Sequence, residues 1–183
     1  MNTHRTDPAT ERQLAAIAEV AGLGIPVWLR GGWAVDFFLG HVTRPHRDVD
    51  WFAWAADAGR ITGELTARGW ELLPEPPHDR QLDFVSDGVD LSFALITTDA
   101  ERHVVVAGGP WAGERWPDGM LAGPVGRIGA VACAVIHPYA QKEIKRMMPV
   151  WVPGLPRRPK DDEDVRRLEA ALNRPGTAAE SSP

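Results

Sequence analysis

The spacing of apolar positions changes along the chain, and each pattern predicts an element. Leu14, Ile17 and Ala21 recur at helical spacing. Asp7 and Pro8 suit the cap and the first position of that helix, which the glycines after residue 21 end. Further helical patterns cover 33–40, 57–69, "PYAQKEIKRMM" and "DDEDVRRLEAAL". Short apolar runs predict strands at 27–30, 48–54, 70–73, 81–86 and 89–96.

Strands therefore dominate the middle of the chain, and the dipeptide Asp87-Gly88 predicts a hairpin between the last two of them. Shorter β-like runs follow between residues 103 and 135, and the end of the chain is helical. This order predicts a mixed α/β (α+β) fold, a central β-sheet flanked by helices. We expect a single domain over 1–173, with a core at about 8–135 and C-terminal helices at about 138–173. A disordered tail is expected at 174–183.

Composition narrows the class of protein. The 183 residues are 44% hydrophobic and 25% charged, which suits one well-cored domain. The net charge of −5 argues against a nucleic-acid partner. Cys133 is the only cysteine, which excludes an intrachain disulfide and a thiolate metal cluster. The sequence shows neither a signal peptide at its start nor an apolar run of about 20 residues, so we expect a cytoplasmic protein without membrane contact.

Two aspartates in "HRDVDW" raise a physical problem. In a strand, Asp48 and Asp50 face the same side, about 6.5 to 7 Å apart along the chain, while Val49 faces the other. Two like charges so placed repel unless a cation or water screens them. Mg²⁺ removes the conflict, since it takes one or two carboxylates and completes its shell with phosphate oxygens and water. The alternative is a pair of solvated residues on an exposed sheet face.

A third carboxylate would complete a metal site of the phosphoryl-transfer type. Asp90 is the first choice, because it lies in mid-strand between apolar Val89 and Leu91. Asp83, in the preceding strand, is the second choice.

The pair Gly31 and Gly32 lies between a strand and a helix. Such glycines let the backbone approach a ligand, and a helix N-terminus offers unpaired N–H groups to phosphate. The alternative is a tight turn that needs positive φ, and the pattern is neither a Walker loop nor a dinucleotide fingerprint. Arg44 either reaches a phosphate or is a solvated loop cation. His46 either bonds a ligand or has a structural role.

The stretch "LRGGWAVDFFLGHVTRPHRDVDW" resembles the signature of the nucleotidyltransferase superfamily, in which Gly-Gly or Gly-Ser precedes Asp-x-Asp. The tryptophan after the glycines and the Thr-Arg-x-His before the aspartates are similar to the small antibiotic nucleotidyltransferases. Those enzymes act on lincosamides or on the 2''-hydroxyl of aminoglycosides. "VDLSFAL" and "HPYAQKEIKRMM" followed by "KDDEDVRRL" resemble further parts of that subgroup.

The resemblance implies the nucleotidyltransferase fold and a division of roles. Asp48 and Asp50 would hold one or two Mg²⁺ ions, and Gly31 and Gly32 would contact the triphosphate. Asp90 would bind metal or take the proton from the acceptor hydroxyl. That hydroxyl attacks the α-phosphate of ATP or another NTP, and pyrophosphate leaves.

A cation should meet the leaving phosphates, and the candidates are Lys142, Lys145 and Lys160. We prefer Lys160, which precedes the last helix. "KEIKR" favours a charged helix face for the other two lysines.

The acceptor side is expected at "GGPWAGERWPDG", where Trp111, Trp116 and Glu114 suit the stacking of sugars and the pairing of ammonium groups. A structural loop whose tryptophans cap the core is the alternative. Asp36 fits the subgroup pattern or orients the glycine turn. The other tryptophans, including Trp28, Trp51 and Trp54, are expected in the core.

The sequence thus predicts a Mg²⁺-dependent nucleotidyltransferase that adds a nucleoside monophosphate to a hydroxyl of an aminoglycoside or lincosamide. The expected partners are the small-molecule acceptor and the NTP, and a homodimer is left open. The alternatives are a nucleotidyltransferase that modifies a protein, as an antitoxin does, a metal-dependent glycosyltransferase, and an inactive binding module.

Overall fold

The computed structural model of the protein describes residues 7–174. Its five helices and eight strands within that range are α1 (Pro8–Ala21), β1 (Val27–Arg30), α2 (Gly31–Leu39), β2 (Val49–Trp54), α3 (Ala58–Ala67), β3 (Glu71–Leu72), β4 (Gln81–Ser86), β5 (Val89–Thr98), β6 (Val104–Val106), β7 (Val125–Ile128), β8 (Val131–Ala134), α4 (Pro138–Trp151) and α5 (Pro159–Leu172). The predicted tail at 174–183, apart from Arg174, lies outside the described residues.

Strands β1 to β6 form one mixed sheet in the described part of the chain, in the order β1-β2-β5-β4-β3, and β6 pairs with the far end of β5. Only β2 and β5 run parallel in this sheet, so a crossover through α3, β3 and β4 joins them. Strands β7 and β8 form a separate hairpin. The predicted mixed sheet with flanking helices is confirmed.

The hairpin between β4 and β5 follows from its turn residues. Asp87 and Gly88 have φ values of 46° and 73°, so both are left-handed, as an Asp-Gly turn of two residues requires. The two strands pair antiparallel from Gln81↔Ala94 to Ser86↔Val89. The predicted hairpin is therefore confirmed.

One face of the sheet is apolar throughout. Val49 and Trp51 on β2 are fully buried there, and Phe93 on β5 stacks on Trp51 at 6.3 Å. Ile17 of α1 and Leu65 of α3 belong to the same core cluster. Alternate residues of each strand supply this face, because side chains in a strand point alternately to the two sides.

The other face is divided. Near the C-terminal end of β2, Phe52 joins a second core cluster with Ile136 and with Ala140 and Ile144 of α4. Trp28 and Trp54 pack against that cluster and touch edge to face, so of the three tryptophans expected in the core only Trp51 is fully buried. The N-terminal ends of β2 and β5 carry polar residues instead.

The structure shifts some predicted bounds. Helix α2 begins at Gly31, two residues before the predicted start, so both glycines lie in its first turn. Helix α4 continues through Pro149 to Trp151, three residues past the predicted "PYAQKEIKRMM". Over residues 7–174, no helix combines the length and the apolar character that a bilayer crossing requires.

Candidate active site

A row of polar residues crosses the divided face of the sheet. Arg30 of β1 pairs with Asp50 of β2, Asp50 with Ser92 of β5, and Ser92 with Asp83 of β4. Residues that pair across strands share a face, so these four side chains project together. The second choice for a third carboxylate, Asp83, therefore lies in the row of Asp50, where Gln81 donates a hydrogen bond to it at 2.8 Å.

Asp48 and Asp90 occupy the neighbouring row. Val49 pairs with Leu91 in the parallel register of β2 and β5, which places the residues just before them, Asp48 and Asp90, at adjacent positions. Both are exposed. The structure thus brings Asp48, Asp50 and Asp90 to one end of one sheet face, and their metal and catalytic roles stay predictions.

Asp50 lies in a buried environment that disfavours its ionised form. Burial raises the pKa of its carboxyl group, and the charges of Asp48 and Asp83 raise it further. The charges of Arg30 and Lys145 oppose this rise without cancelling it. A further cation beside Asp50 would favour its ionised form.

Gly31 and Gly32 lie so close to neighbouring side chains that a Cβ atom at either position would collide with them. Gly31 has a φ of +72°, and a Cβ atom there would lie 2.8 Å from Oδ2 of Asp50. A Cβ atom on Gly32 would lie 2.5 Å from Nδ1 of His46 and 2.6 Å from a terminal nitrogen of Arg44. The positive φ accounts for the glycine at position 31, and the lack of space beside His46 and Arg44 accounts for the glycine at position 32. Helix α2, whose first N–H groups have no partner within the helix, therefore begins directly beside the Asp50 carboxylate.

Helix α4 holds this turn through a residue that sequence analysis missed. The Nε2 group of Gln141 donates a hydrogen bond of 2.6 Å to the carbonyl oxygen of Gly31. Gln141 is buried. Its Oε1 atom accepts no hydrogen bond from the described residues.

Asp36 organises the loop between α2 and β2. It is fully buried and accepts hydrogen bonds from the backbone N–H of Thr43 at 3.0 Å and from its hydroxyl group at 2.6 Å. Its Oδ2 atom lies 2.6 Å from Nε2 of His46, whose carbonyl oxygen accepts a hydrogen bond from Gln13. The structural alternative for His46 thus agrees with these contacts, and Asp36 reaches the glycine turn only through His46, which lies against Gly32.

Arg44 is not a solvated loop cation. One terminal nitrogen donates to Oδ2 of Asp164 on α5 at 2.9 Å, and the other lies 3.1 Å from Nδ1 of His46. Asp164 is almost completely buried, with 1% of its side chain exposed. Arg44 therefore ties the Gly31–Gly32 turn to α5, and its contact with a phosphate stays a prediction.

Lys145 differs most from expectation. Its Nζ atom lies 3.0 Å from Asp164 and 3.2 Å from Asp161, only 8% of its side chain is exposed, and its charge acts on Asp50. The interpretation of this lysine as part of a charged helix face is therefore wrong, because α5 covers it. The preferred Lys160 is exposed and forms no ion pair within residues 7–174.

Lys142 is also partly covered by α5, with 15% of its side chain exposed. Its Nζ atom lies 5.1 Å from the centre of the Tyr139 ring and 3.7 Å from Glu169 of α5.

We call Lys145, Asp161, Asp164, Arg44 and Arg158 the α5 ion-pair cluster. Asp161 accepts hydrogen bonds from Arg158 at 2.7 and 3.2 Å as well as from Lys145. Burial alone would raise the pKa of Asp161, but these hydrogen bonds and charges outweigh it and lower the pKa. The cluster carries three positive charges against two negative ones.

Arg30 separates the acidic end of the face from its aromatic end. Its guanidinium lies 4.5 Å from the centre of the Phe52 ring and 5.9 Å from that of Trp116. Burial lowers its pKa, and the charges of Asp50 and Asp48 oppose that shift. Sequence analysis treated Arg30 only as the end of a strand.

Beyond Arg30 lies a cavity of about 610 Å³. Trp111, Trp116 and Glu114, the residues predicted for the acceptor side, all line it. Backbone hydrogen bonds from Val106 to the Glu114 carbonyl and from Trp116 to the Val104 carbonyl hold their loop against β6. The expected acceptor loop is thus placed next to the acidic site, and its role stays a prediction.

Comparison with known proteins identifies the family. A sequence model of the family described as aminoglycoside-2''-adenylyltransferase matches residues 13–114, more than half of the chain. This range contains the Gly31–Gly32 turn and all four aspartates of the site, but not α4 or α5.

Two curated relatives match shorter segments. A 2''-aminoglycoside nucleotidyltransferase of Klebsiella pneumoniae is 50% identical over 55 residues, which is 30% of this chain and 28% of that protein. Another 2''-aminoglycoside nucleotidyltransferase, from Escherichia coli, is 58% identical over 43 residues, 24% of this chain and 22% of that protein. The matched segments thus span under a third of these relatives.

Solved structures share the fold. The solution structure of the antibiotic-resistance factor ANT(2'')-Ia superimposes with a TM-score of 0.67 at 22% identity, over 89% of this chain and 84% of that one. The lincosamide adenylyltransferase LnuA, bound to lincomycin, gives 0.66 at 19% identity over 90% and 99%. ANT(2'')-Ia in complex with adenylyl-2''-tobramycin gives 0.65 at 21% identity over 89% and 87%. These likenesses show the nucleotidyltransferase fold. The sequence model, which matches more than half of the chain, establishes that the chain belongs to the aminoglycoside-2''-adenylyltransferase family.

Proposed function

We propose that the protein transfers the adenylyl group of ATP to a hydroxyl of an antibiotic, an aminoglycoside or a lincosamide, and releases pyrophosphate. One observation carries this proposal: Asp48, just before β2, Asp50 on β2 and Asp90 on β5 lie at one end of one sheet face, and Asp50 lies beside the glycine turn that begins α2. Family membership supports it. The glycosyltransferase alternative loses its support, because it leaves both the turn and the family unexplained.

The donor set fits magnesium. Asp48 and Asp50 would hold the ion, with Asp90 as a third ligand or as the base, since hard cations prefer carboxylate oxygens. Burial and then the neighbouring carboxylate Asp48 raise the pKa of Asp50, so a metal cation bound beside it would favour its ionised form. When bound, Mg²⁺ would neutralise part of the negative charge on the triphosphate and polarise its phosphoryl oxygens.

The chain's own groups would position the nucleotide. The first N–H groups of α2, at Gly31 and Gly32, are donors for phosphate oxygens at a helix N-terminus. Lys145, buried beside Asp50, would face the charge that grows on the leaving pyrophosphate. Asp161 and Asp164 hold the ammonium group of Lys145 in place, whereas Lys160 has no such partners within residues 7–174.

The reaction then needs a base and an aligned acceptor. Asp90 is exposed at the open end of β5, where it could accept the proton of the acceptor hydroxyl. The oxygen of that hydroxyl attacks the α-phosphorus, and the bond from the α-phosphorus to the oxygen bridging it to the β-phosphate breaks. The cavity beyond Arg30 would hold the acceptor ring system.

Mass spectrometry of the acceptor tests the proposal. The purified protein is incubated with ATP, Mg²⁺ and either tobramycin or lincomycin, and the acceptor is examined for the gain of one adenylyl group. We expect one acceptor to be modified, and we expect the Asp50→Asn variant to form the product about 10²–10³-fold more slowly. A wild-type rate in both Asp48→Asn and Asp50→Asn would overturn the mechanism. Adenylyl groups found instead on a co-purified protein would replace the antibiotic by a protein acceptor.

A further inference from the structure

Arg30 lies beside the aspartates with its hydrogen-bond donors unused. Its guanidinium donates no hydrogen bond and forms no ion pair within residues 7–174, although the charges of Asp50 and Asp48 act on it through space. A guanidinium carries five N–H donors in a fixed plane. Because Arg30 also lines the cavity next to the site, these donors are open to a ligand that enters there.

Two further cations of the site differ from Arg30 because they have carboxylate partners. Lys145 is held by Asp161 and Asp164, and Arg44 donates to Asp164. Both aspartates belong to α5. A ligand bound by Lys145 or Arg44 would share their donors with α5, whereas the donors of Arg30 are unshared in the described part of the chain.

Aromatic rings fix the guanidinium in one place. Its Cζ atom lies 4.5 Å from the centre of the Phe52 ring and 5.9 Å from that of Trp116. Phe52 is fully buried, and its ring centre lies 4.9 Å from that of Trp116. A guanidinium that rests on a ring keeps the N–H groups at the edge of its plane free to donate. Arg30 is therefore positioned before a ligand binds, which lowers the cost of ordering it.

Arg30 also lies where the two substrates of the proposed reaction would meet. On one side it pairs across strands with Asp50, a candidate magnesium ligand. On the other side it lines the cavity of about 610 Å³ that would hold the acceptor. Transfer requires the α-phosphorus to lie between the metal carboxylates and the acceptor hydroxyl. The group that is transferred would thus come within reach of the Arg30 donors.

The balance of charge favours the same contact. In the described chain, Asp50 and Asp48 are the carboxylates whose charges stabilise the guanidinium of Arg30. If magnesium binds to these carboxylates, it takes up their charge and repels the guanidinium. An anion that contacts both cations removes this repulsion, and a phosphate oxygen is a strong acceptor for arginine.

We propose that Arg30 is a catalytic residue that donates a hydrogen bond to a non-bridging oxygen of the α-phosphate. Its guanidinium keeps its protons and stabilises the charge on that oxygen while the acceptor oxygen attacks the phosphorus and pyrophosphate leaves. This rests on the proposed function and assigns a protein contact to the transferred group itself.

Calorimetric titration of the full chain without an acceptor tests the contact. The probes are ATP and the two diastereomers of α-thio-ATP, in which sulfur replaces one or the other non-bridging oxygen of the α-phosphate, each with Mg²⁺. We expect Arg30→Met to bind ATP about tenfold more weakly, because it loses a hydrogen bond between charged groups but keeps a long side chain. Equal ATP affinity in this variant and in wild type would overturn the proposal.

The sulfur probes separate a direct contact from a general effect of charge. Sulfur is a weak acceptor, so one diastereomer should bind to wild type several-fold more weakly than ATP. The difference should vanish in Arg30→Met, where the contact is already lost. Lys145→Gln removes a cation assigned to the pyrophosphate and should weaken all three nucleotides alike. A sulfur effect that persists unchanged in Arg30→Met would refute the contact with the α-phosphate.

A second measurement needs no variant and covers the case in which Arg30→Met does not fold. Cd²⁺ is a softer ion than Mg²⁺ and binds sulfur well, so it relieves a sulfur effect that comes from the metal. For the diastereomer whose sulfur replaces the oxygen bound by Arg30, the weaker binding should remain with Cd²⁺. Relief of every sulfur effect by Cd²⁺ would overturn the proposal.

Arg80→Met is the matched control. It makes the same chemical change in a residue that lines the same cavity but packs over Gly109. It should keep the ATP affinity of wild type. Arg30→Lys retains the charge without the planar fork and should bind ATP with an affinity between those of Arg30→Met and wild type. An equal loss in the Arg80 and Arg30 variants would show that any cation of the cavity serves and would refute the specific contact.

The same titrations distinguish this proposal from the function on which it rests. If ATP binds with an affinity that does not depend on Arg30, the contact is wrong and the nucleotide site stands. If ATP binds with the expected dependence and neither tobramycin nor lincomycin is modified, the contact is supported and the antibiotic acceptor is wrong. If wild type does not bind ATP, both proposals fail.

Discussion

The two faces of strands β2 and β5 come from the same short stretch of chain and have opposite tasks. Val49 and Trp51 face a core without exposure, whereas Asp48 and Asp50, their immediate neighbours, face the candidate site. The apolar face gains free energy by excluding water. The polar face places like charges together, which costs stability unless a ligand compensates them. We expect substitutions on one face to reduce folding stability and those on the other to reduce activity.

The largest effect is expected on the apolar face. Trp51→Ala should lower the free energy of unfolding by about 3–5 kcal/mol, because it removes a fully buried ring that stacks on Phe93. Urea unfolding measures the loss. Trp111→Ala makes the same chemical change at a partly exposed position and should lower stability by less than about 1 kcal/mol. Similar losses in the two variants would contradict the contrast between the faces.

Substitution of Asp50, the residue before Trp51, should reduce the reaction rate rather than the folding stability. Asp50→Asn should reduce kcat/KM for adenylyl transfer by about 10²–10³-fold, the range for a lost electrostatic group at the reaction centre. The melting temperature should change little. Asp87→Asn in the β4–β5 turn, where asparagine also adopts positive φ, is the matched control and should keep full activity. A large loss of stability in the Asp50 variant would show that both faces serve folding.

The glycine turn connects both tasks. Gly32→Ala should lower the unfolding free energy by about 1–3 kcal/mol, because the added methyl group displaces His46 and Arg44. Gly63→Ala within α3 meets no atom and should instead raise stability by about 0.5–1 kcal/mol. Chemical denaturation of both variants checks the difference in sign. If Gly32→Ala raised the unfolding free energy as much as Gly63→Ala, the turn would have space for a methyl group.

The cations beside the polar face should affect nucleotide binding. Lys145→Gln should raise KM for ATP about tenfold, since a hydrogen bond to a charged group contributes about 1.5–3 kcal/mol. Lys142→Gln removes a lysine from the same helix that pairs with Glu169 instead, and its KM should stay within about twofold. Steady-state kinetics at saturating acceptor distinguishes the two. If Lys142 proves the more important lysine, the phosphate contact assigned to Lys145 is wrong.

The smallest effect concerns pH. Hydrogen bonds from Arg158 and Lys145 outweigh burial and hold the pKa of Asp161 below its ordinary value of 3.8. A lowered pKa in the folded protein stabilises it fully above the ordinary value, and this stabilisation is lost as the pH falls through the lowered pKa. Asp161→Asn should therefore cost about 1 kcal/mol at neutral pH. The difference from wild type should shrink below pH 3.8.

Asp162 provides the control for this measurement. It is exposed in the same first turn of α5 and has no ion pair in the described chain. Asp162→Asn should follow the stability of wild type across the whole pH range, measured by thermal unfolding. A wild-type response of the Asp161 variant would mean that the ion-pair cluster adds nothing to folding.

Local patterns allowed much of the fold to be predicted. The bounds of β1 and β4 agree with the prediction because glycine, proline and the change of apolar period mark strand ends locally. The parallel pairing of β2 with β5 has no such mark, since the two strands are separated by a helix and two strands. The separate β7–β8 hairpin, which packs through Gly126 against Phe37, likewise depends on distant residues.

The site shows the same limit. Asp48 and Asp50 could be found because one strand carries both at a spacing of two. Lys145 was misinterpreted because its burial depends on the docking of α5, which no pattern inside α4 reveals. One signal was present: Gln141 and Lys145 lie one helical turn apart on the stripe of buried Ile144. A polar pair on an apolar stripe indicates inward-facing functional groups.

The order of the site's parts along the chain has a consequence for biosynthesis. The four aspartates of the sheet are all translated by residue 90, whereas Lys145 and its anchors Asp161 and Asp164 emerge from the ribosome much later. Of the two positive groups that act on Asp50, the nascent chain therefore holds Arg30 before any of these aspartates and gains Lys145 only after every strand of the sheet has been translated.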